Sequence, residues 1–243
     1  MEVESILLAV VHIDTYASQQ ILSSATGFYF RYQQQLYLIT NRHVVRDENN
    51  CHYPDKLEIT LHPNRSNLAE TSFYSIPLYD NAGKPIWREV HDWAGRVDVV
   101  ALPLMQGIFP ENALYTAFTP ANLPQELMTV EIGQSVRVVG YPLNFHDTLH
   151  NLPVMRHAII ASSFNLRFQG KGYFLTDSLL HRGSSGSPVI MRTSDAVSGR
   201  TDFPWTLLGI HSARLSAKRD IYADDRLNLF ATWYSDVLLK LTG

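Results

Sequence analysis

The sequence predicts an all-β protein built from two lobes. Many short apolar runs follow one another, turn-forming residues separate them, and helical spacing is almost absent before the C-terminus. A pair of prolines near the middle of the chain marks where one set of strands gives way to the next.

The first expected strand is Ser5 to His12. Its apolar stretch Ile6-Leu7-Leu8-Ala9-Val10-Val11 follows glutamates instead of a Lys/Arg cluster and is broken by His12 and Asp14, which fits neither a signal peptide nor a membrane helix. Further strands are expected at Thr26 to Tyr32, Leu36 to Thr40, Leu57 to Leu61, Ser72 to Leu78, Ile86 to Val90 and Val97 to Leu102. Gln33-Gln34-Gln35 makes a short loop, and Asp80-Asn81-Ala82-Gly83 is a turn by composition. The segment Phe118-Thr119-Pro120-Ala121-Asn122-Leu123-Pro124 suits an exposed connection. A second set of strands is expected at Ser135 to Val139, Val154 to Ala161, Gly172 to Leu175, Pro188 to Met191 and Thr206 to Ile210. The closing segment reads as a helix: Asp224 or Asp225 can cap it, and Leu229, Phe230, Trp233, Tyr234, Val237, Leu238 and Leu241 recur at three- and four-residue spacing. These readings divide the chain into an N-terminal lobe (1–117), a linker (118–130), a C-terminal lobe (131–224) and a C-terminal helix (225–243).

Composition narrows the function. With 243 residues, 45% of them hydrophobic, the chain can bury a core without a metal or disulfide staple. The single cysteine, Cys51, excludes an intramolecular disulfide and favours a reducing, cytoplasmic setting. Twenty Lys+Arg against 23 Asp+Glu give a net charge of -3, so neither nucleic acid nor a membrane surface is an expected partner. His146, His150 and His157 are spaced 4 and 7 apart, with no cysteine or second cluster to complete a closed metal site. No cofactor is called for.

Three segments carry chemistry. Gly183-Ser184-Ser185-Gly186-Ser187-Pro188 is a tight glycine turn entering an apolar strand, able to present a serine hydroxyl beside backbone N–H groups aimed at the oxygen of an attacked carbonyl. Taken alone it is also a plain loop before a strand. Leu36-Tyr37-Leu38-Ile39-Thr40-Asn41-Arg42-His43 places a histidine just after a buried strand, and serine at neutral pH needs such a base. Most of the ten histidines must be ordinary core or surface residues. A third group must hold the imidazole in the right tautomer. Asp98, at the head of Val97-Asp98-Val99-Val100-Ala101-Leu102, would be costly there without a partner. Asp92 and Asp47 are its rivals, and Asp98 could instead only cap its strand.

These residues resemble the chymotrypsin-like serine peptidases, particularly their bacterial HtrA and glutamyl endopeptidase branches. The resemblance rests on Ala25-Thr26-Gly27-Phe28, Thr40-Asn41-Arg42-His43-Val44-Val45, Asp98-Val99-Val100-Ala101-Leu102, Val139-Gly140-Tyr141-Pro142, Asp177 with Gly183-Ser184-Ser185-Gly186-Ser187-Pro188, and Gly209-Ile210-His211-Ser212, in the family's order. It implies a double β-barrel with the cleft between the barrels and a serine endopeptidase acting on protein or peptide through an acyl-enzyme. His43 is then the general base, Asp98 its orienter, Ser185 the nucleophile, and the N–H groups of Gly183 and Ser185 the oxyanion hole. An α/β-hydrolase using Ser185, Asp195 or Asp202, and His211 is the enzymatic rival. It needs alternating strands and helices and the opposite residue order. The non-enzymatic alternative is a catalytically silent peptidase fold that binds peptides or serves as a scaffold.

For the substrate pocket the resemblance implies Leu179, Leu180, His211, Ser212, Ala213 and Arg214. His211, with Arg214 and Arg182 nearby, favours an acidic substrate side chain; Leu179 and Leu180 favour a small or medium aliphatic one. Asp177 stands two positions before the pocket floor, which argues against a Lys/Arg preference. Ser184 stands where secreted relatives carry the acid that pairs with a freed amino terminus, so control by a separate regulatory protein is expected instead.

Overall fold

A computed structural model of the chain describes residues 3–125, 129–178, 181–193, 203–214 and 228–243. The N-terminal lobe contains β1 (Val10–Ala17), β2 (Gln20–Tyr32), β3 (Gln35–Thr40), a four-residue helical turn α1 (Arg42–Val45), β4 (Lys56–Leu61), β5 (Ser72–Pro77), β6 (Arg88–Asp92) and β7 (Gly95–Leu104). They form one antiparallel sheet in the order β5-β4-β1-β2-β3-β7-β6. Its edge strands β5 and β6 are not ladder partners. The chain between them folds back, with Ile86 N–H donating to Leu78 C=O at 3.0 Å, so a hairpin replaces the ladder of a closed barrel. The C-terminal lobe is a closed barrel in the order β10-β13-β12-β11-β8-β9, made by β8 (Ser135–Gly140), β9 (Val154–Ile160), β10 (Tyr173–Asp177), β11 (Pro188–Arg192), β12 (Trp205–Arg214) and β13 (Leu229–Tyr234). A short helix, α2 (Val237–Thr242), ends the chain.

The unbroken apolar runs of the first lobe are strands with two buried faces. Leu36 and Leu38 of β3, with Val100, Leu102 and Leu104 of β7, point into the lobe's own core beside Ile59 and Ile76. The alternate residues Tyr37, Ile39, Val97, Val99 and Ala101 join a second core shared with Val139, Ile190, Leu207 and Ile210 of the other lobe. Period-two alternation places each set on its own side of the sheet. The shared core fixes the lobes against each other and thereby the cleft between them.

Several expected features differ. The connection expected to be exposed at Phe118 to Pro124 instead buries Phe118 and Leu123 in the shared core, with the Asn122 side-chain amide donating to Trp205 C=O at 3.1 Å. Ser5 to Ala9 is a turn, with Leu7 N–H on Glu4 C=O and Ala9 N–H on Ile6 C=O, and the strand begins at Val10. Ile6 and Ala9 are apolar because they plug the shared core. The helix expected over 225–243 is confined to α2. Leu229–Tyr234 instead closes the barrel between β10 and β12. Phe230 and Tyr234 face the barrel interior, while Leu229, Ala231 and Trp233 pack outside it against Tyr173 and Leu175. A strand with two apolar faces lacks the polar alternation that would have separated it from a helix. Residues 225–227 lie outside the described residues. Among those described, no helix is long and apolar enough to cross a membrane.

Candidate active site

Position 43 lies in α1, a turn held at the end of β3 by buried side chains. Val44 and Val45 enter the first core, and Arg42 is buried beneath the turn with every edge of its guanidinium in use. It binds Glu48 through both terminal nitrogens, at 2.9 and 2.7 Å, and donates its Nε to Glu89 at 3.1 Å and an Nη1 proton to Arg46 C=O at 3.0 Å. The Arg42 hydrogen bonds hold the Glu48 carboxyl down at about 2. These bidentate, charge-assisted contacts fix the turn that carries His43. Neither Arg42 nor its acids stood out in the sequence, because an Arg beside a His reads as an ordinary surface charge.

Asp98 meets the imidazole from β7. Its Oδ2 lies 2.8 Å from His43 Nδ1, and its Oδ1 accepts the His43 backbone N–H at 2.9 Å. Ser212 Oγ, from β12 of the other lobe, donates to Oδ2 at 2.6 Å. Asn41, fully buried, donates its side-chain amide to Asp98 C=O at 2.7 Å. Burial works against both charges. In Asp98 it is outweighed by the His43 bond and charge and by Ser212, so the carboxyl pKa is lowered; in His43 it is outweighed by Asp98 and then Asp47, so the imidazole pKa is raised. The rivals are otherwise engaged. Asp47 accepts the Asn49 and Asn50 N–H groups, and Asp92 accepts Ala94 N–H in the β6–β7 hairpin.

The serine turn is shaped by two glycines with positive φ, Gly183 (88°) and Gly186 (85°). A Cβ on Gly183 would lie 2.4 Å from Tyr141 C=O, and one on Gly186 would lie 2.1 Å from Thr26 C=O. Only glycine tolerates both the backbone angle and the approach. The turn is anchored to the first lobe by Thr26 N–H on Ser185 C=O at 2.9 Å and to β12 by Gly186 N–H on His211 C=O at 3.0 Å and His211 N–H on Ser187 C=O at 2.9 Å. Thr40, three residues before His43, packs on Gly186. The serine turn and the histidine turn therefore share a floor. Ser185 is half-buried, while Ser184 and Ser187 are buried with hydroxyls that have no partner among the described residues. Ser185 Oγ makes no hydrogen bond with the imidazole in this structure; such contacts are commonly long without substrate and tighten when it binds.

The Arg182 carbonyl accepts Leu143 N–H at 2.6 Å. A trans peptide puts the following N–H on the opposite side, so the Gly183 N–H points away from Leu143. Neither it nor the Ser185 N–H donates to a carbonyl among the described residues. Leu143 and Asn144 reach this position at φ values of 53° and 59°.

Of the other expected site residues, His211 is 2% exposed, its ring centroid 4.9 Å from that of Phe230, and its Nδ1 has no partner among the described residues. Burial, and then the charge of His43, push its pKa down to about 3. Ser212, expected in the substrate pocket, donates its hydroxyl to Asp98. Ala213 and Arg214 continue β12, and Leu179 and Leu180 lie outside the described residues, as do Asp195 and Asp202. Among the described residues no group of three His, Cys, Asp or Glu side chains could hold a metal. His146 meets the Asn144 carbonyl, His150 pairs with Asp147 at 2.7 Å, and His157 contacts Ser135.

Comparison with known proteins agrees with this architecture. No curated protein matches the sequence. The crystal structure of the serine endoprotease from Yersinia pestis superimposes with a TM-score of 0.51 at 14% identity, covering 96% of this chain and 61% of that one, a likeness of fold. A family model described as trypsin-like peptidase domain matches residues 25–198, from the strand that anchors the serine turn to beyond the turn itself. With most of its length matched in that way, the chain belongs to the trypsin-like peptidase family.

Proposed function

We propose that the protein is a serine endopeptidase in which His43, Asp98 and Ser185 form the catalytic triad and the N–H groups of Gly183 and Ser185 form the oxyanion hole. The observation that carries this reading is the Asp98 carboxylate, which accepts both the ring and the backbone N–H of His43 and a hydroxyl from the opposite lobe. Such a carboxylate holds the proton on Nδ1 and leaves the Nε2 lone pair for a hydroxyl. In the reaction, Ser185 Oγ bonds to the substrate carbonyl carbon as its proton passes to His43 Nε2. The carbonyl π electrons move onto oxygen, where the two N–H groups stabilise the charge. His43 then gives its proton to the departing amine nitrogen as the C–N bond breaks, leaving an acyl ester on Ser185. A water, deprotonated by His43, attacks that ester, and collapse returns the proton to Oγ and frees the acid.

A preference for small or medium aliphatic side chains before the scissile bond fits His211 better than an acidic preference does. A ring buried beside Phe230 and driven toward its neutral form offers no standing charge to a substrate carboxylate. Ser184, buried and uncharged, offers no partner to a freed amino terminus, which leaves a regulatory protein as the proposed means of control.

Digestion of a peptide library by the parent and by Ser185→Ala protein tests both parts. The expected result is cleavage by the parent alone, after Val, Ala or Leu. Cleavage after Glu or Asp would overturn the specificity, and no cleavage by folded parent would favour a silent peptide-binding module.

A further inference from the structure

Thr26 lies in β2 of the first lobe, yet two of its three polar groups, the N–H and the hydroxyl, hold the serine turn or the segment beside it. Its N–H donates to Ser185 C=O at 2.9 Å. Its Oγ1 donates to Gly183 C=O at 2.7 Å and accepts Tyr141 N–H at 3.0 Å. Its own C=O accepts Thr40 Oγ1 at 2.8 Å. The residue is fully buried, so each of these bonds is made without competition from water.

The hydroxyl matters because of what it holds on the far side of the cleft. Gly183 is flanked by two peptide planes, and its φ of 88° is a conformation that glycine leaves as readily as it enters. The plane before it is fixed by Leu143 N–H on Arg182 C=O. The plane after it is fixed by Thr26 Oγ1 on Gly183 C=O. With both carbonyls tied, the direction of the Gly183 N–H is determined. The same hydroxyl accepts Tyr141 N–H, two residues before Leu143, so one oxygen sets the spacing between both clamps.

We propose that Thr26 is a positioning residue whose hydroxyl, reaching across from the first lobe, locks Gly183 with its N–H aimed at the oxyanion. The proposal rests on the reading of Gly183 as an oxyanion donor given above. It predicts that loss of the hydroxyl weakens stabilisation of the tetrahedral intermediate while leaving substrate binding intact.

Threonine, serine and alanine at position 26 separate the hydroxyl from the methyl. Valine is unsuitable, since a methyl in place of Oγ1 would press on the Gly183 oxygen. The measurement is kcat and KM for a peptide substrate, with Ki for a peptide aldehyde, whose adduct with Ser185 carries the oxyanion. Thr26→Ser is expected to stay within about threefold of the parent, because serine keeps both the donor and the acceptor. Thr26→Ala is expected to lose roughly 10- to 100-fold in kcat and a similar factor in aldehyde affinity, with KM unchanged, a fraction of what losing an oxyanion donor outright costs. Equal loss in the serine and alanine variants, or a change confined to KM, would overturn the proposal. If Thr26→Ala does not fold, Thr26→Cys fills the same space with a weak donor and is read the same way. Activity of the parent and silence of Ser185→Ala in the same assay decide the underlying reading separately.

Discussion

At the scale of single residues, the balance at His43 sets the pH dependence. The imidazole must be neutral to take the Ser185 proton, and Asp98 raises its pKa above the ordinary 6.5. Activity therefore appears as pH rises through a value above 6.5, and the acid limb of kcat/KM should report it. Asp98→Asn should move that limb to lower pH and reduce kcat on the order of 10⁴-fold, since an amide fails to hold the required tautomer. Ser212→Ala removes one hydrogen bond to the carboxylate and should cost roughly tenfold in kcat or less. A steady-state pH series on the three proteins checks all of this; an Asp98→Asn limb that stays in place would contradict the assigned partner. The candidates themselves were legible: His43 and Asp98 from their places beside apolar strands, and Ser185, among three serines of one turn, only from its register in the family's pattern. Their supports were not. Ser212 is expected only in the substrate pocket, Thr26 only as part of a motif, and Arg42 reads as a surface charge, because what they hold depends on contacts 114 to 157 residues away or on a turn not yet folded.

At the scale of elements, α2 shows how little helix is needed to tie the lobes. Its Leu238 and Leu241 are buried in the shared core with Val97 and Tyr37, and Tyr37 Oη donates to Thr242 C=O at 3.2 Å. Leu238→Ala should destabilise the protein by about 2–5 kcal/mol, the cost of a large-to-small change in a core that cannot collapse onto the gap. Urea melts of the two proteins measure it, and a loss below about 1 kcal/mol would mean that the helix packs loosely. The sequence placed most strands within a few residues, since their apolar runs and turns are local signals. It failed where two-sided burial removes alternation, at Leu229–Tyr234, and where an apolar run packs as a turn, at Ser5 to Ala9. In both cases tertiary contact decided the form, and periodicity cannot see it.

At the scale of the whole molecule, the site exists only between the lobes. His43 and Asp98 come from the first, Ser185 and Ser212 from the second, and the two share one apolar core. Neither half can open without exposing Val99, Ile39, Ile190 and Leu207 together. Unfolding should therefore be a single cooperative transition, with calorimetric and van't Hoff enthalpies equal; two resolved transitions would show that the lobes are held independently. The same dependence explains why the fold class was readable from the chain and the inter-lobe clamps were not.

The proposed chemistry stands or falls with Ser185 as a nucleophile activated by His43. Labelling of the purified protein with a fluorophosphonate, read by intact mass, tests it most directly. One adduct is expected on the parent, located at Ser185, and none on Ser185→Ala or His43→Ala. An unlabelled parent of native fold, or equal labelling of the parent and the Ser185→Ala protein, would contradict it.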